Sequence, residues 1–499
     1  MTNRRDFLMK SGCALGMTAL ATQMRHFGLM SALAQKVSDE QDESSVPSDY
    51  RALVCIFMAG GNDGNNMVIP NHSDATISNY GAYSLVRGAS TLALPQNTLL
   101  PITVPRMGNL SYGLHPNLGI QATNGTTIVN NGIHELFGLG KLAVVTNVGT
   151  LVQPTTRTQY QTAGWPKPYQ LFSHSDQTNQ YQSGRSDTQS FTGWGGRLSD
   201  QRTQPDNPNA LIPMITSISG AQLFTAGQTT LPLAIAAAPT GLNQVLAPQG
   251  FNTTAPSVAR LNAFNQLRSQ DLTSDVVRAA SHVTDQAMQA NAALQTPAEV
   301  TAVFPNSSLG NQLKQVARLI KKRTDLSVNR QIFFVQVGGF DTHASQNSVT
   351  VGQFPLMTAL SQAMRSFYDE MAIQGLGDKV TMFTMSDFSR TFGPAGTGGT
   401  VGTDHAWANH HFVVGGALTA SDFYGGATSN GTPFPTLVMN GPDDSDSGTG
   451  ARGRWIPSTS VEQYAATLAK WYGLPDANMV DVFPKIANFP LNNLGFMQP

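Results

Sequence analysis

"LVCIFMAGGNDGNN", residues Leu53 to Asn66, runs from an unbroken apolar segment into glycines and then into one carboxylate, Asp63, flanked by amides. The apolar half decides the fold. A continuous apolar run of this length suits a strand buried on both faces, as in a parallel sheet. Three further runs share its character: Leu142 to Thr146 ("LAVVT"), Gln331 to Val337 ("QIFFVQV") and Val380 to Met385 ("VTMFTM"). Helical patterns lie between them. "SLGNQLKQVARLIKKR" precedes the third run, and "FPLMTALSQAMRSFYDEMAIQGLGDK" precedes the fourth, with Gly375 and Gly377 as its stop. Strand, helix and strand in succession specify right-handed crossovers and predict an α/β sandwich.

The glycine half matches neither G-x-G-x-x-G nor G-x-x-x-x-G-K-[ST], and no Lys follows, so a nucleotide loop is excluded. Two readings remain open. Either this is a turn in which Asp63 caps the next element, or Gly60 and Gly61 turn the chain so that Asp63 points into a site.

At 499 residues the chain has room for roughly three average domains or for one large α/β domain with insertions. Charged residues make up only 12% and the net charge is -1. With no basic run to neutralise phosphates, nucleic acid is excluded as the main partner. The first residues carry Arg4 and Arg5 before Phe7 and Leu8, a mildly apolar stretch, and Ala32-Leu33-Ala34. That order identifies residues 1–34 as a twin-arginine signal, which implies passage through the twin-arginine translocase to the periplasm or cell surface. Residues 35–49, polar and acidic, read as a flexible linker. Cys13 would leave with the signal, so Cys55 alone remains, a buried thiol in an apolar run. No stretch approaches the roughly 18 uninterrupted apolar residues of a stable membrane span.

Between about 200 and 305 the composition shifts to Gln, Thr, Ala and Pro, with short β-like pieces ("LIPMITSISG", "LPLAIAAAP") and a closing helix pattern ("SDVVRAASHVTDQAMQANAALQ"). This segment reads as an inserted, cap-like subdomain. Near the C-terminus "STSVEQYAATLAKWYGL" has a Ser/Thr start three residues ahead of Glu462 and ends at Gly473, a capped helix.

Polar clusters stand at the downstream ends of the predicted strands: Asp63 in "GGNDG", Asp341 and His343 in "GGFDTH", Ser386 and Asp387 in "TMSDFSRT". A fourth, "GTDHAWANHH", holds Asp404, His405, His410 and His411. In a doubly wound sheet these ends share one edge, where ligands bind. Carboxylates and imidazoles converging there suit Zn, Mn or Fe, one ion or two. Arg390 either clamps a tetrahedral anion or pairs with Asp387 or a carbonyl. His410 and His411 point to opposite faces if extended, so at most one of them enters the site, and His410 is the one favoured here. Asp404 is placed to orient His405, and Trp194 and Trp407 are packing residues.

Taken in order from Leu53 onward, "LVCIFMAGGNDGNNMVIP", "LFSHSDQTNQYQSG", "TGWGGRL", "GGFDTHASQ", "MSDFSRT", "GTDHAWANHHFVVGGAL" and "GRWIPSTSVEQYAATLAKWYGL" resemble the exported bacterial family called domain of unknown function 1501. That family is in turn similar to the alkaline phosphatase and sulfatase superfamily. The resemblance implies a three-layer sandwich around a mostly parallel sheet, with a one-metal or two-metal site that hydrolyses phosphate or sulfate esters. It implies Asp63, Asp341, His343, Asp387 and His405 as the metal set, with His174 as a possible substitute ligand and Ser173 or Ser175 as a metal-activated nucleophile. Two departures from the superfamily stand out: Phe388 follows Asp387 where a ligand is common, and the Asp341/His343 pair is spaced D-x-H. Two functions follow, a metal-dependent hydrolase of a small anionic ester, or a catalytically silent binding or assembly protein working on envelope polysaccharide.

Overall fold

The computed structural model describes residues 49–499 apart from 125–126, 247–250, 271, 273–274 and 397–399. The twin-arginine signal and all but the last residue of the linker lie outside the described residues.

All four expected strands form, and five more join them in one mixed sheet of nine. In chain order these are β1 (Arg51–Met58), β2 (Leu142–Gly149), β3 (Ile215–Ser217), β4 (Leu233–Ala234), β5 (Arg330–Val337), β6 (Val380–Ser386), β7 (Asn409–Gly415), β8 (Phe423–Tyr424) and β9 (Thr459–Ser460). Across the sheet they run β8-β2-β7-β6-β1-β5-β3-β4, with β9 also on β2. Strand β1 pairs in parallel with β5 along its whole length, from Arg51 against Arg330 to Met58 against Val337, and in parallel with β6 on its other side. The sheet is therefore parallel at its centre. Strand β7, the segment holding His410 and His411, is antiparallel to both β6 and β2.

Alternation along β1 makes the layers. Ala52, Val54, Ile56 and Met58 face one apolar cluster, which includes Leu313, Val316 and Ile320 of α3 (Ser308–Lys321) and Met357, Leu360 and Met364 of α4 (Gln353–Ile373). Leu53, Cys55 and Phe57 face the other. There they meet Tyr181 of α1 (His174–Ser183), Trp194 and Leu198 of α2 (Trp194–Asp206), and Tyr464, Ala465 and Leu468 of α5 (Val461–Tyr472). Burying each such aliphatic or aromatic side chain contributes roughly 1.5–3 kcal/mol. Helix layers on both faces explain why the strands read as continuous apolar runs.

Helix α3 begins where the Ser307 hydroxyl accepts from the Gly310 N–H, and Arg318 and Lys321 occupy its last turn, where the carbonyl dipoles favour cations. Helix α5 carries a capping box one residue later than the sequence suggested. Ser460 and Gln463 bond reciprocally, and Glu462 is instead buried in the first turn.

The segment at 200–305 does not all stand apart. Strands β3 and β4 extend the parallel sheet beyond β5. Its helix Asp275–Ala293 sends Val283, Ala287 and Ala290 into the same cluster as α3 and α4. Both pieces are fixed by burial against the sheet and its helix layer. Among the described residues no helix is long and apolar enough to cross a membrane.

Candidate metal centre

Because β1, β5 and β6 are parallel, their C-terminal ends open on the same edge, and the glycine stretch after β1 forms the floor between the other two. Gly60 has φ +114°, and a Cβ there would lie 2.5 Å from the backbone nitrogen of Asp341. Its N–H donates to both carboxylate oxygens of Asp387, at 3.1 and 3.2 Å. Gly61, with φ +79°, leaves space that the Phe388 ring fills, 2.5 Å from where a Cβ would sit. The glycines thus let the two later segments close over β1. They do not deliver Asp63.

Asp63 turns inward and is fully buried with Arg87, whose Nη1 donates to Oδ2 at 2.6 Å and Nη2 to Oδ1 at 3.2 Å. Gln346 Nε2 donates to the same carboxylate at 2.5 Å and the Asn65 N–H at 3.0 Å. The Asn65 bond caps the short helix Gly64–Met67. The expectation of a ligand at Asp63 is corrected: an arginine, an amide and a helix start already occupy its oxygens. His410 is likewise not at the centre. It is fully buried, its Nδ1 accepts from the Asn147 N–H at 3.1 Å, its ring stacks on Phe434, and burial pushes its pKa down to about 3. His411 takes the opposite face, stacked on Tyr464.

What does converge is His174, Asp341 and His405, whose ligand atoms all lie within 4.8 Å of one another. His343 touches two of the three. The hydrogen bonds on the outer sides of the rings set their orientation. His174 Nδ1 lies 2.7 Å from Asp387 Oδ2, His405 Nδ1 lies 2.8 Å from the Phe172 carbonyl, and His343 Nδ1 lies 3.2 Å from Asp404 Oδ1. A carbonyl or an ionised carboxylate only accepts, so each Nδ1 carries the proton. In the neutral rings each Nε2 lone pair therefore faces inward. The three Nε2 atoms stand 3.5 Å (His174), 3.1 Å (His343) and 3.6 Å (His405) from one oxygen, Asp341 Oδ1. Those of His343 and His405 are 3.0 Å apart.

Lone pairs facing a carboxylate oxygen repel unless a proton or cation lies between them. Ligands about 2.1 Å from a tetrahedral zinc are separated by about 3.4 Å, close to the spacings found. His174 Nε2 is buried with no hydrogen-bond partner, as expected for an atom whose partner is a metal. The donor set of imidazole nitrogens and a carboxylate oxygen suits zinc, manganese or iron. The cluster can therefore coordinate a metal ion.

The electrostatics are set by the same contacts. The hydrogen bond to Asp387, helped by the Asp387 and Asp341 charges, raises the pKa of His174 against the effect of burial. Burial dominates at His405 and lowers its pKa, against the bond to Phe172. Burial pushes the Asp341 carboxyl upward, but the charge and hydrogen bond of Arg390 together with nearby His343 and His174 hold it below the usual range.

Several residues take other roles than the sequence suggested. Asp387, held by Gly60, orients His174. Asp404 orients His343 rather than His405. Arg390 is fully buried and anchors Asp341: its Nη1 donates to Asp341 Oδ1 at 2.8 Å and to the Gly60 carbonyl at 3.4 Å, while Nε and Nη2 donate to the Thr403 hydroxyl and carbonyl. It has no exposed edge with which to clamp an anion. Ser173 and Ser175 flank His174 at the start of α1, and the Ser173 hydroxyl donates to Asp176 at 2.5 Å. Read from sequence alone, no site role fell to the Phe172 carbonyl, to Arg452, whose Nη2 donates to Asp404 at 2.8 Å, or to Arg454, whose Nε donates to the His405 carbonyl at 2.8 Å. A backbone carbonyl has no residue signature, and neither arginine sits in a strand-end cluster. Trp194 and Trp407 are buried packing residues.

Residues 50–433 match the model of a family described as protein of unknown function (DUF1501), and the chain belongs to that family. No curated protein matches the sequence. Among solved structures the chain is similar to the PsFucS1 sulfatase from Pseudoalteromonas sp., at 10% identity and a TM-score of 0.26, over 79% of this chain and 68% of that one.

Proposed function

We propose that this member of the DUF1501 family holds one divalent cation on His174, Asp341 and His405, with His343 beside it. On this reading it hydrolyses a phosphate, sulfate or other anionic ester, as an exported protein of the periplasm or cell surface with an alkaline phosphatase-like sandwich. The observation that carries the metal reading is the set of three rings, each with its Nδ1–H bonded outward and its Nε2 aimed at Asp341 Oδ1. One cation is favoured over two because Asp63 is consumed by Arg87 and Asp387 by Gly60 and His174.

A cation there, when bound, would supply a Lewis acid to an ester oxygen and make a bound oxygen nucleophile more acidic. The chain's own residues supply the rest. Asp341 and the rings set the geometry, Arg390 keeps Asp341 ionised and in place, and Ser173 or Ser175 offers a hydroxyl beside His174. A second reading, a catalytically silent binding protein, is favoured by the bond of Ser173 to Asp176 and by the burial of Arg390.

Metal content of the exported protein, measured with turnover of aryl phosphates and aryl sulfates, separates the readings when Asp341→Ala and His405→Ala are run beside the wild type. Turnover lost with the metal in both variants supports the hydrolase. Bound metal without turnover supports the binding protein, and no metal in any of the three removes the centre. Export is tested separately, by Arg4→Lys with Arg5→Lys, which should trap precursor in the cytoplasm.

A further inference from the structure

His405 is held by a closed ring of contacts from three distant parts of the chain. Its Nδ1–H donates to the Phe172 carbonyl at 2.8 Å. Its own carbonyl accepts from Arg454 Nε at 2.8 Å. The Arg454 guanidinium in turn lies over the Phe172 ring, 5.0 Å from its centroid, and its Nη1 is braced by both oxygens of Asp446 at 3.0 and 3.1 Å. Cation and ring attract through the ring quadrupole, so each contact supports the next.

The backbone at Phe172 is unusual. Phe172 has φ +71° and Gln170 has φ +45°. A bulky residue in the left-handed region is a strained outlier, and such strain persists only where the surroundings hold it. Here the Phe172 N–H donates to the buried side chain of Gln177 at 2.6 Å, and the Ser173 N–H to the Gln170 carbonyl at 3.3 Å. The left-handed turn points the Phe172 carbonyl at His405 and, two residues on, starts the helix that carries His174.

We infer that Phe172 and Arg454 are positioning residues for the metal centre: the strained Phe172 carbonyl, locked by Arg454, sets the aim of His405 Nε2. This rests on the metal reading. Partners on the outer side of a ligating histidine commonly change metal affinity 10- to 100-fold when removed.

The test uses Co²⁺ alone, added to the folded protein after chelation, with affinity read by titration and geometry by the visible d–d bands. Arg454→Ala should weaken Co²⁺ binding at least about 10-fold and change the band pattern. Arg454→Lys keeps the charge but loses the planar Nε contact, and should fall short of restoring either. Phe172→Gly relieves the left-handed strain and removes the ring, so it should also weaken Co²⁺ while leaving the melting temperature near that of wild type. Faster hydrogen exchange in segment 170–174 should accompany both losses. If the wild type binds no Co²⁺, the metal reading itself fails. If it binds Co²⁺ and folded Arg454→Lys and Phe172→Gly keep wild-type affinity and bands, the positioning role is overturned.

Discussion

Replacing Asp63 by Asn separates a structural carboxylate from a ligand. Asp63 and Arg87 are both fully buried, and among the described residues Asp63, at 2.6 and 3.2 Å, is the only carboxylate that meets Arg87. Asn keeps the volume and can still cap Gly64–Met67, but it leaves the guanidinium charge uncompensated. Breaking a buried pair by removing one partner costs about 3–5 kcal/mol. The carbonyls of Thr391 and Phe392 and the side chain of Asn66 still accept from Arg87, which places the cost near the lower end, about 3 kcal/mol. For a chain of this size, unfolding entropy near 2 cal/mol/K per residue turns that into a fall of roughly 3 °C in melting temperature. The assay is a thermal melt with and without added Zn²⁺, and Zn²⁺ affinity measured on the same sample. The account requires a lower melt and unchanged affinity. An unchanged melt with lost affinity would refute it and restore Asp63 as a ligand.

Other predictions follow from the same contacts. Asp387→Ala should weaken Zn²⁺ binding 10- to 100-fold, because His174 loses the acceptor that aims its Nε2; calorimetric titration measures it. Gly60→Ala meets the Asp341 backbone at 2.5 Å as well as a φ of +114°, so it should destabilise by roughly 2–3 kcal/mol or more and impair metal binding. Gly220→Ala, with φ +72° and open space around it, should cost only about 1 kcal/mol and serves as the control. Glu462 is buried and its pKa is pushed up to about 8 by burial, against the opposing bond from the Lys485 N–H. The folded state therefore holds this proton more tightly than the unfolded chain. Its contribution is full below about pH 4.5 and lost as pH rises to about 8. Glu462→Gln should remove this slope and gain about 3–4 kcal/mol over wild type near pH 8 relative to pH 4.5, read from denaturation midpoints across that range.

The central sheet was legible because burial on both faces writes itself as apolar runs, and all four runs became strands. Strand β7 was harder to see. It begins with Asn and two His, and those imidazoles are buried by ring stacking on Phe434 and Tyr464 rather than by aliphatic character. Strands β3 and β4 are too short to carry periodicity; β3 is defined by its pairing with β5 and β4 by its pairing with β3. At the site, the sequence could place Asp341, His343 and Asp387 near one edge from strand order, and a resemblance added His405 and suggested His174. It could not say which carboxylates face outward. Asp63 and Asp387 differ in what holds them, Arg87 in one case and a glycine N–H with an imidazole in the other, and those partners come from residues 24 to 327 positions away.

The central claim is that the rings of His174 and His405 converge with Asp341 on a metal ion. X-ray absorption at the metal edge of zinc-loaded protein tests it directly. The account predicts one zinc per chain with at least two imidazole nitrogens and one carboxylate oxygen at about 2.0–2.2 Å. Zinc absent after loading, or bound without imidazole scattering, would contradict it.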